Sequence, residues 1–190
     1  MKVVAFNGSP HHNGNTVTLI QRALGKIAEQ GIETELIHLT GKPLRGCAAC
    51  YQCRERKNRK CAIDSDPINE WLPKMFAADG IIIGSPTYFA NLSAEAKAFI
   101  DRSGYVSRGN GGLLKRKVGA AIVVARRAGA ITVFNAINDF FLINEMIVPG
   151  SSYWNIALGR EIGDVEADAE GLKTMDILGE NMAWLLKRLY

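Results

Sequence analysis

Cys47, Cys50, Cys53 and Cys61 are all the cysteines of the chain, and they fall in the spacing C-x2-C-x2-C-x7-C. A thiol cluster of this density reads as a metal site or as a set of redox-active groups rather than a disulfide framework. A chain of 190 residues buries roughly 70% of its unfolded surface and needs no cross-links to be stable. In a reducing compartment such clusters bind metal or do chemistry. Structural zinc favours two separated C-x2-C knuckles, which are absent, although zinc and metal-free thiols both stay open. Arg54, Arg56, Lys57, Arg59 and Lys60 lie inside the run, opposed there only by Glu55. They favour thiolates, and they form either a patch for a phosphorylated cofactor or acidic partner or a solvated loop tip.

A second chemistry-bearing stretch follows the first apolar run. Asn7-Gly8-Ser9-Pro10-His11-His12-Asn13-Gly14-Asn15-Thr16 offers glycines for close backbone approach, hydroxyls at Ser9 and Thr16, amides at Asn13 and Asn15, and a helix N-terminus behind them. That set suits one phosphate monoester. It is neither G-x-G-x-x-G nor a Walker A loop, since no Lys-Ser/Thr pair follows its glycines, so dinucleotide and nucleoside triphosphate sites are disfavoured. The plain alternative is a capped strand-to-helix turn.

These loops need a scaffold, and the apolar pattern supplies one. Strand-like runs recur at Val3 to Phe6, Ile81 to Ile83 and Val118 to Ala125, with weaker ones at Thr34 to Leu39 and Met146 to Val148. Helical spacing appears at Thr16 to Gln30, Ile68 to Ala77, Ser93 to Ser103, Ile131 to Ile143 and Ala167 to Leu189. Alternating β and α elements with right-handed crossovers give an α/β three-layer sandwich around a five-stranded parallel sheet, in the flavodoxin-like order 2-1-3-4-5. The expectation is a single domain over residues 1–190 with a cysteine-rich loop at 43–66. Ligands of such sheets sit beyond the carboxyl ends of the strands, so the loops after strands 1, 3 and 4 should hold the chemistry.

The strand 3 loop reads Gly84-Ser85-Pro86-Thr87-Tyr88-Phe89-Ala90-Asn91. Its two aromatics could wall a planar ring such as an isoalloxazine, or simply cover the core. After strand 4, Arg126 and Arg127 stand among small residues, where a cation could stabilise the anionic form of a reduced flavin or merely face water. The Asp66-Pro67 pair reads as a helix N-cap with proline at N1. His38 and Trp154 have no companions in sequence that define a site. The net charge of +4 comes without aromatic interleaving or a recognisable binding module, which argues against nucleic acid. With no apolar run of membrane-spanning length, a soluble, cytoplasmic protein without membrane contact is expected. No nucleophile elbow supports hydrolase chemistry.

Gly8-Ser9-Pro10 with Gly14-Asn15-Thr16, Ser85 to Phe89, Lys97 to Arg102 and the compact cysteine run together resemble the NADPH-dependent FMN reductase superfamily, in its iron-sulfur flavoprotein branch. The resemblance spans nearly the whole chain. It implies a flavodoxin-like fold, non-covalent FMN, and a homodimer or homotetramer with the flavin near a subunit interface, where Ser151 to Asn155 would cover a neighbour's flavin. It carries phosphate contacts to Ser9, His11, Asn13, Asn15 and Thr16, and ring contacts to Pro86, Thr87, Tyr88 and Phe89. The family usually has arginine where this chain has His11, which would make that contact pH-sensitive.

Within this frame the cysteines resemble a ferredoxin-type run, although there the fourth cysteine serves a second cluster and precedes a proline. Ala62 follows Cys61, so one 4Fe-4S cluster would take all four. Nicotinamide gives a hydride, flavin stores one or two electrons and a cluster accepts one, which suits FMN between NAD(P)H and a cluster. Three functions are expected to compete: an NAD(P)H-dependent flavin reductase, an electron carrier fed by ferredoxin, and a flavin-binding thiol redox sensor.

Overall fold

A computed structural model describes residues Met1–Tyr190. Five strands, β1 (Lys2–Asn7), β2 (Glu33–His38), β3 (Gly80–Pro86), β4 (Val118–Ala125) and β5 (Ile156–Leu158), form one parallel sheet in the order β2-β1-β3-β4-β5. The helices are α1 (Asn15–Glu29), α2 (Gln52–Arg56), α3 (Ile68–Ala77), α4 (Ala94–Gly109), α5 (Ala130–Ile143) and α6 (Ala169–Leu189), the last preceded by a 3-10 turn at Asp164–Ala167. No helix is long and apolar enough to cross a membrane.

Because side chains alternate across a strand, the central strands feed two cores. Val4, Phe6, Ile81 and Ile83 pack with Leu72, Met75, Phe99 and Phe141 on the α3, α4 and α5 side. Val3, Ala5 and Ile82 pack with Leu19, Ile27, Leu178 and Met182 on the α1 and α6 side. β4 is buried over its full length, which is why it reads in sequence as an unbroken apolar run.

The fifth strand differs from expectation. Ile147 meets the sheet at a single bridge to Val118, donating to the Lys117 carbonyl and accepting from Gly119 N–H. Pro149 cannot donate to a ladder, and the chain leaves the sheet until Ile156, where β5 pairs with Val123 to Ala125. Met146 to Val148 is therefore the foot of an interrupted strand, and the interruption lifts Ser151 to Asn155 to the sheet edge. Asn155 pins it there, its Nδ2 donating 3.0 Å to the Ala121 carbonyl.

α4 also runs past its expected end at Ser103, to Gly109. Val106 and Ser107 are buried, and the added turns lie under the cysteine loop. That loop contains α2, a short helix the sequence pattern did not indicate.

Candidate functional site

The first loop is set by Asn7, the last residue of β1. Its Oδ1 accepts from Ser9 N–H at 3.0 Å and its Nδ2 donates to the Ser9 carbonyl and to His38 Nδ1, so the turn is closed from inside and Ser9 is buried. Ser9 Oγ accepts from His11 N–H at 3.2 Å. Gly8 donates 2.8 Å to the Gly84 carbonyl, and a Cβ there would stand 2.8 Å from Ala96 Cβ; only glycine lets β1, β3 and α4 meet this closely. His11 and Asn13 project into solvent and Thr16 is buried at the start of α1. Asn15 is otherwise engaged: its Nδ2 donates to the Glu161 carbonyl and its Oδ1 accepts from Gly163 N–H, both at 2.8 Å. Its side chain holds the loop wall, and α1 has Gly14 at its N-cap with no side-chain cap, so its first N–H groups are left to solvent or a ligand.

His38 does have a companion. The rings of His12 and His38 stack with centroids 4.2 Å apart and planes within 3°, and His12 Nε2 lies 3.2 Å from Thr40 Oγ1. All three histidines of the chain therefore stand at this loop, two of them as its outer wall. Burial, and then the neighbouring His12, hold His38 below its ordinary pKa.

The second loop begins where β3 ends at Pro86. Tyr88 and Asn91 exchange backbone hydrogen bonds of 2.9 and 3.0 Å, and Phe89 and Ala90 between them have φ of 49° and 58°. Two consecutive non-glycine residues in the left-handed region make a strained, tight turn of the sort that marks functional sites. It throws Phe89 fully into solvent and leaves Tyr88 partly exposed. Burial raises the Tyr88 pKa, with Glu95 adding to it, so its hydroxyl stays protonated. Thr87 Oγ1 is buried with no hydrogen-bond partner, an orphan at the place where a polar ring edge is expected to bind. The strand 4 loop closes over this turn: Gly129 has φ of 86°, and a Cβ on it would lie 3.0 Å from Ala90 Cα. Arg126 and Arg127 beside it are exposed.

Ser93 joins the two loops. As N-cap of α4 it accepts from Ala96 N–H at 3.2 Å, while its hydroxyl donates 2.7 Å to the Gly8 carbonyl and its N–H donates to Ser85 Oγ. Its only sequence signal is a serine ahead of a helical run.

The cysteine loop is built by its neighbours. Ala49, Tyr51, Lys57 and Arg59 all have positive φ, so the loop has no regular ladder and side chains from α3 and α4 fix it. Asn69 clasps the Cys61 backbone with two bonds of 2.8 and 3.0 Å. Asn110 bonds the Cys53 carbonyl and Arg59 N–H, and Cys53 Sγ donates to the Tyr105 carbonyl. Arg102 is fully buried; its Nε and Nη2 donate 3.4 and 3.3 Å to Cys61 Sγ, Nη2 also to the Ile63 carbonyl, and Nη1 to the Arg45 carbonyl and Asp66. Asp66 accepts from Ile68 N–H at the start of α3, but the N-cap position falls on Pro67, one residue later than the sequence suggests. The larger role of Asp66 is as the buried counterion of Arg102. Burial works against both charges, but the pairing prevails and holds Asp66 below and Arg102 above the ordinary value.

All four cysteines line one enclosed, apolar cavity of about 20 Å³ with Arg102, Tyr105 and Val106 as its floor. No three His, Cys, Asp or Glu side chains converge on a single metal ion. Four thiol side chains on one cavity are a donor set of the chemistry that iron-sulfur clusters use. Cys53 is buried, Cys47 and Cys61 are half-buried and Cys50 is exposed. Burial, then the charge of Cys61, raise the Cys53 thiol pKa.

Comparison with known proteins follows the same lines. The family model for NADPH-dependent FMN reductase matches residues 1–161. The chain is 43% identical to an iron-sulfur flavoprotein of Methanocaldococcus jannaschii, covering 98% of both chains, and 36% identical to one of Methanosarcina thermophila, covering 94% of this chain and 95% of that one. Among solved structures, a WrbA-like flavodoxin of Agrobacterium tumefaciens superposes with a TM-score of 0.65 at 16% identity, over 98% of this chain and 97% of that one; it shares the flavodoxin-like fold.

Proposed function

The chain belongs to the NADPH-dependent FMN reductase family, and from that premise we propose that it passes electrons from a nicotinamide donor through FMN to a 4Fe-4S cluster on Cys47, Cys50, Cys53 and Cys61, or to a small-molecule acceptor. One observation carries this reading. α4 clamps the phosphate loop through Ser93 at its N-terminus and floors the cysteine cavity with Arg102 and Tyr105 further along. Arg102 lies nine positions beyond Ser93 along α4, roughly 14 Å at 1.5 Å per residue. The two sites are thus held at a fixed spacing by one rigid element.

FMN supplies the exchange between two-electron and one-electron chemistry. Ser9, His11, Asn13 and the N–H groups of Asn15 and Thr16 hold its phosphate. Thr87 offers its orphan hydroxyl to the polar edge of the ring, Pro86, Tyr88 and Phe89 wall it, and Arg127 places positive charge near it. The exposed Phe89, Tyr153 and Trp154 leave this wall open to a docking nicotinamide, to ferredoxin as an alternative donor, or to the other subunits of a homodimer or homotetramer.

The test is anaerobic purification followed by an absorbance spectrum, iron and acid-labile sulfide analysis, and reduction with NADPH, NADH or reduced ferredoxin. Four irons and four sulfides per chain with flavin bleaching by a nicotinamide support the whole reading. Bleaching without iron leaves the plainer flavin reductase, and bleaching by ferredoxin alone replaces the donor. A protein that binds no FMN sinks the proposal.

A further inference from the structure

We propose that Arg102 is the positioning residue that sets the reduction potential of the cysteine site, with Asp66 as its opposing partner; this rests on the reading of the four cysteines as cluster ligands. A guanidinium carries five N–H donors. Arg102 makes five contacts with its three nitrogens: Nε and Nη2 to Cys61 Sγ, Nη2 to the Ile63 carbonyl, and Nη1 to the Arg45 carbonyl and Asp66.

A cation held wholly out of water is stable only beside negative charge. Asp66 provides one such charge on one edge of the guanidinium, and the other edge is forked onto the sulfur of Cys61. A neutral thiol is a poor acceptor for two such bonds, whereas a thiolate ligand is a good one. The fork aims two N–H donors at the one sulfur of Cys61, and α4 delivers the guanidinium to it from a buried position that solvent cannot screen.

Reduction of a cluster adds one negative charge, shared onto its ligand sulfurs. Hydrogen bonds and positive charge at those sulfurs favour the reduced form, and a nearby carboxylate disfavours it. Arg102 and Asp66 therefore pull the potential in opposite directions, and the pair leaves the site near electrical balance. Loss of Arg102 lowers the potential and loss of the Asp66 charge raises it.

The experiment is an EPR-monitored potentiometric titration of the wild-type holoprotein, Arg102→Gln, the isosteric Asp66→Asn, and the double variant, with iron and FMN content measured in each. The expected result is a tenfold fall in the reduced-to-oxidised ratio at fixed poise for Arg102→Gln and a tenfold rise for Asp66→Asn, 59 mV each way for a one-electron couple. The double variant should lie between them. Simple loosening of the loop would move both single variants the same way, so shifts of one sign, or no shift with iron retained, overturn the assignment. Should Arg102→Gln lose its iron, Asp66→Asn decides alone: a raised potential supports the proposal and a lowered or unchanged one rejects it. Wild-type protein without iron and sulfide rejects the cluster reading and this assignment together, whereas a loaded wild type with unresponsive variants rejects only the latter.

Discussion

The loop after β1, the proposed phosphate site, and the cysteine loop follow adjacent strands and rest on the same helix, yet they are held in opposite ways. Asn7 to Thr16 is closed largely from within: Asn7 bonds Ser9, Ser9 bonds His11, and Gly8 fits against β3 and α4. The cysteine loop makes a few bonds of its own, such as Ala49 N–H to Cys47 Sγ and Lys60 N–H to Asn58, and is otherwise held by Arg102, Asn69 and Asn110 from α3, α4 and the turn after it. A loop of the first kind is shaped before its ligand arrives. One of the second kind takes its shape from residues distant in sequence, and from whatever it binds.

The largest effect expected from this contrast comes from Asp66→Ala. It removes the one carboxylate paired with the buried Arg102 guanidinium, which costs about 3–5 kcal/mol, read as a lowered midpoint in denaturant unfolding. Because the damage lies at the cysteine loop, iron content should fall while the folded fraction keeps its FMN; loss of FMN first would erase the distinction between the loops. Gly8→Ala is the reciprocal change. Its Cβ meets Ala96 Cβ at 2.8 Å, an overpacking worth about 1–3 kcal/mol, and fluorescence titration should show weaker FMN binding with iron retained. Ser93→Ala removes a cap and the donor to the Gly8 carbonyl, for a loss of about 1–2 kcal/mol. Its weakening of FMN binding should be milder than that of Gly8→Ala, and equal or greater weakening would place the anchor on α4 instead of in the loop itself.

This division also explains what could be read from the sequence. The sheet order and four strands were legible because buried parallel strands are continuous apolar runs. The shape of the polar turn after β1 is legible because its partners are neighbours in the chain. The fifth strand misled because Met146 to Val148 has the right composition, and only Pro149 and the later return at Ile156 reveal the break. Arg102 was visible as part of a familiar helical segment but not as a contact of Cys61, since nothing local says which way a helical arginine faces across 41 residues. Asp66 reads as a cap, and it does bond Ile68 N–H; its pairing with Arg102 is a tertiary fact. His38 looked solitary because His12 reaches it only after β1 and β2 have paired.

The smallest effect tests whether the phosphate loop is truly closed from within, and it concerns that same histidine. Asn7 Nδ2 can only donate, so His38 Nδ1 must accept, which fixes the ring as the neutral Nε2–H tautomer. Protonation at Nδ1 breaks this bond, and burial and His12 already disfavour it in the folded protein. The folded state thus binds this proton less readily than the unfolded chain, whose histidine titrates near about 6.5. Above that pH neither state is protonated and stability is unaffected. As pH falls below it the unfolded chain gains the proton first, stability declines, and the loss levels off only below the lower folded-state pKa. His38→Gln keeps an acceptor for Asn7 without a titrating ring, so its stability between pH 7 and 5 should decline less than that of wild type in parallel urea titrations. Equal slopes for the two proteins would mean that the His12–His38 stack is not linked to the folding of this loop, and that its closure depends on Asn7 and Ser9 alone.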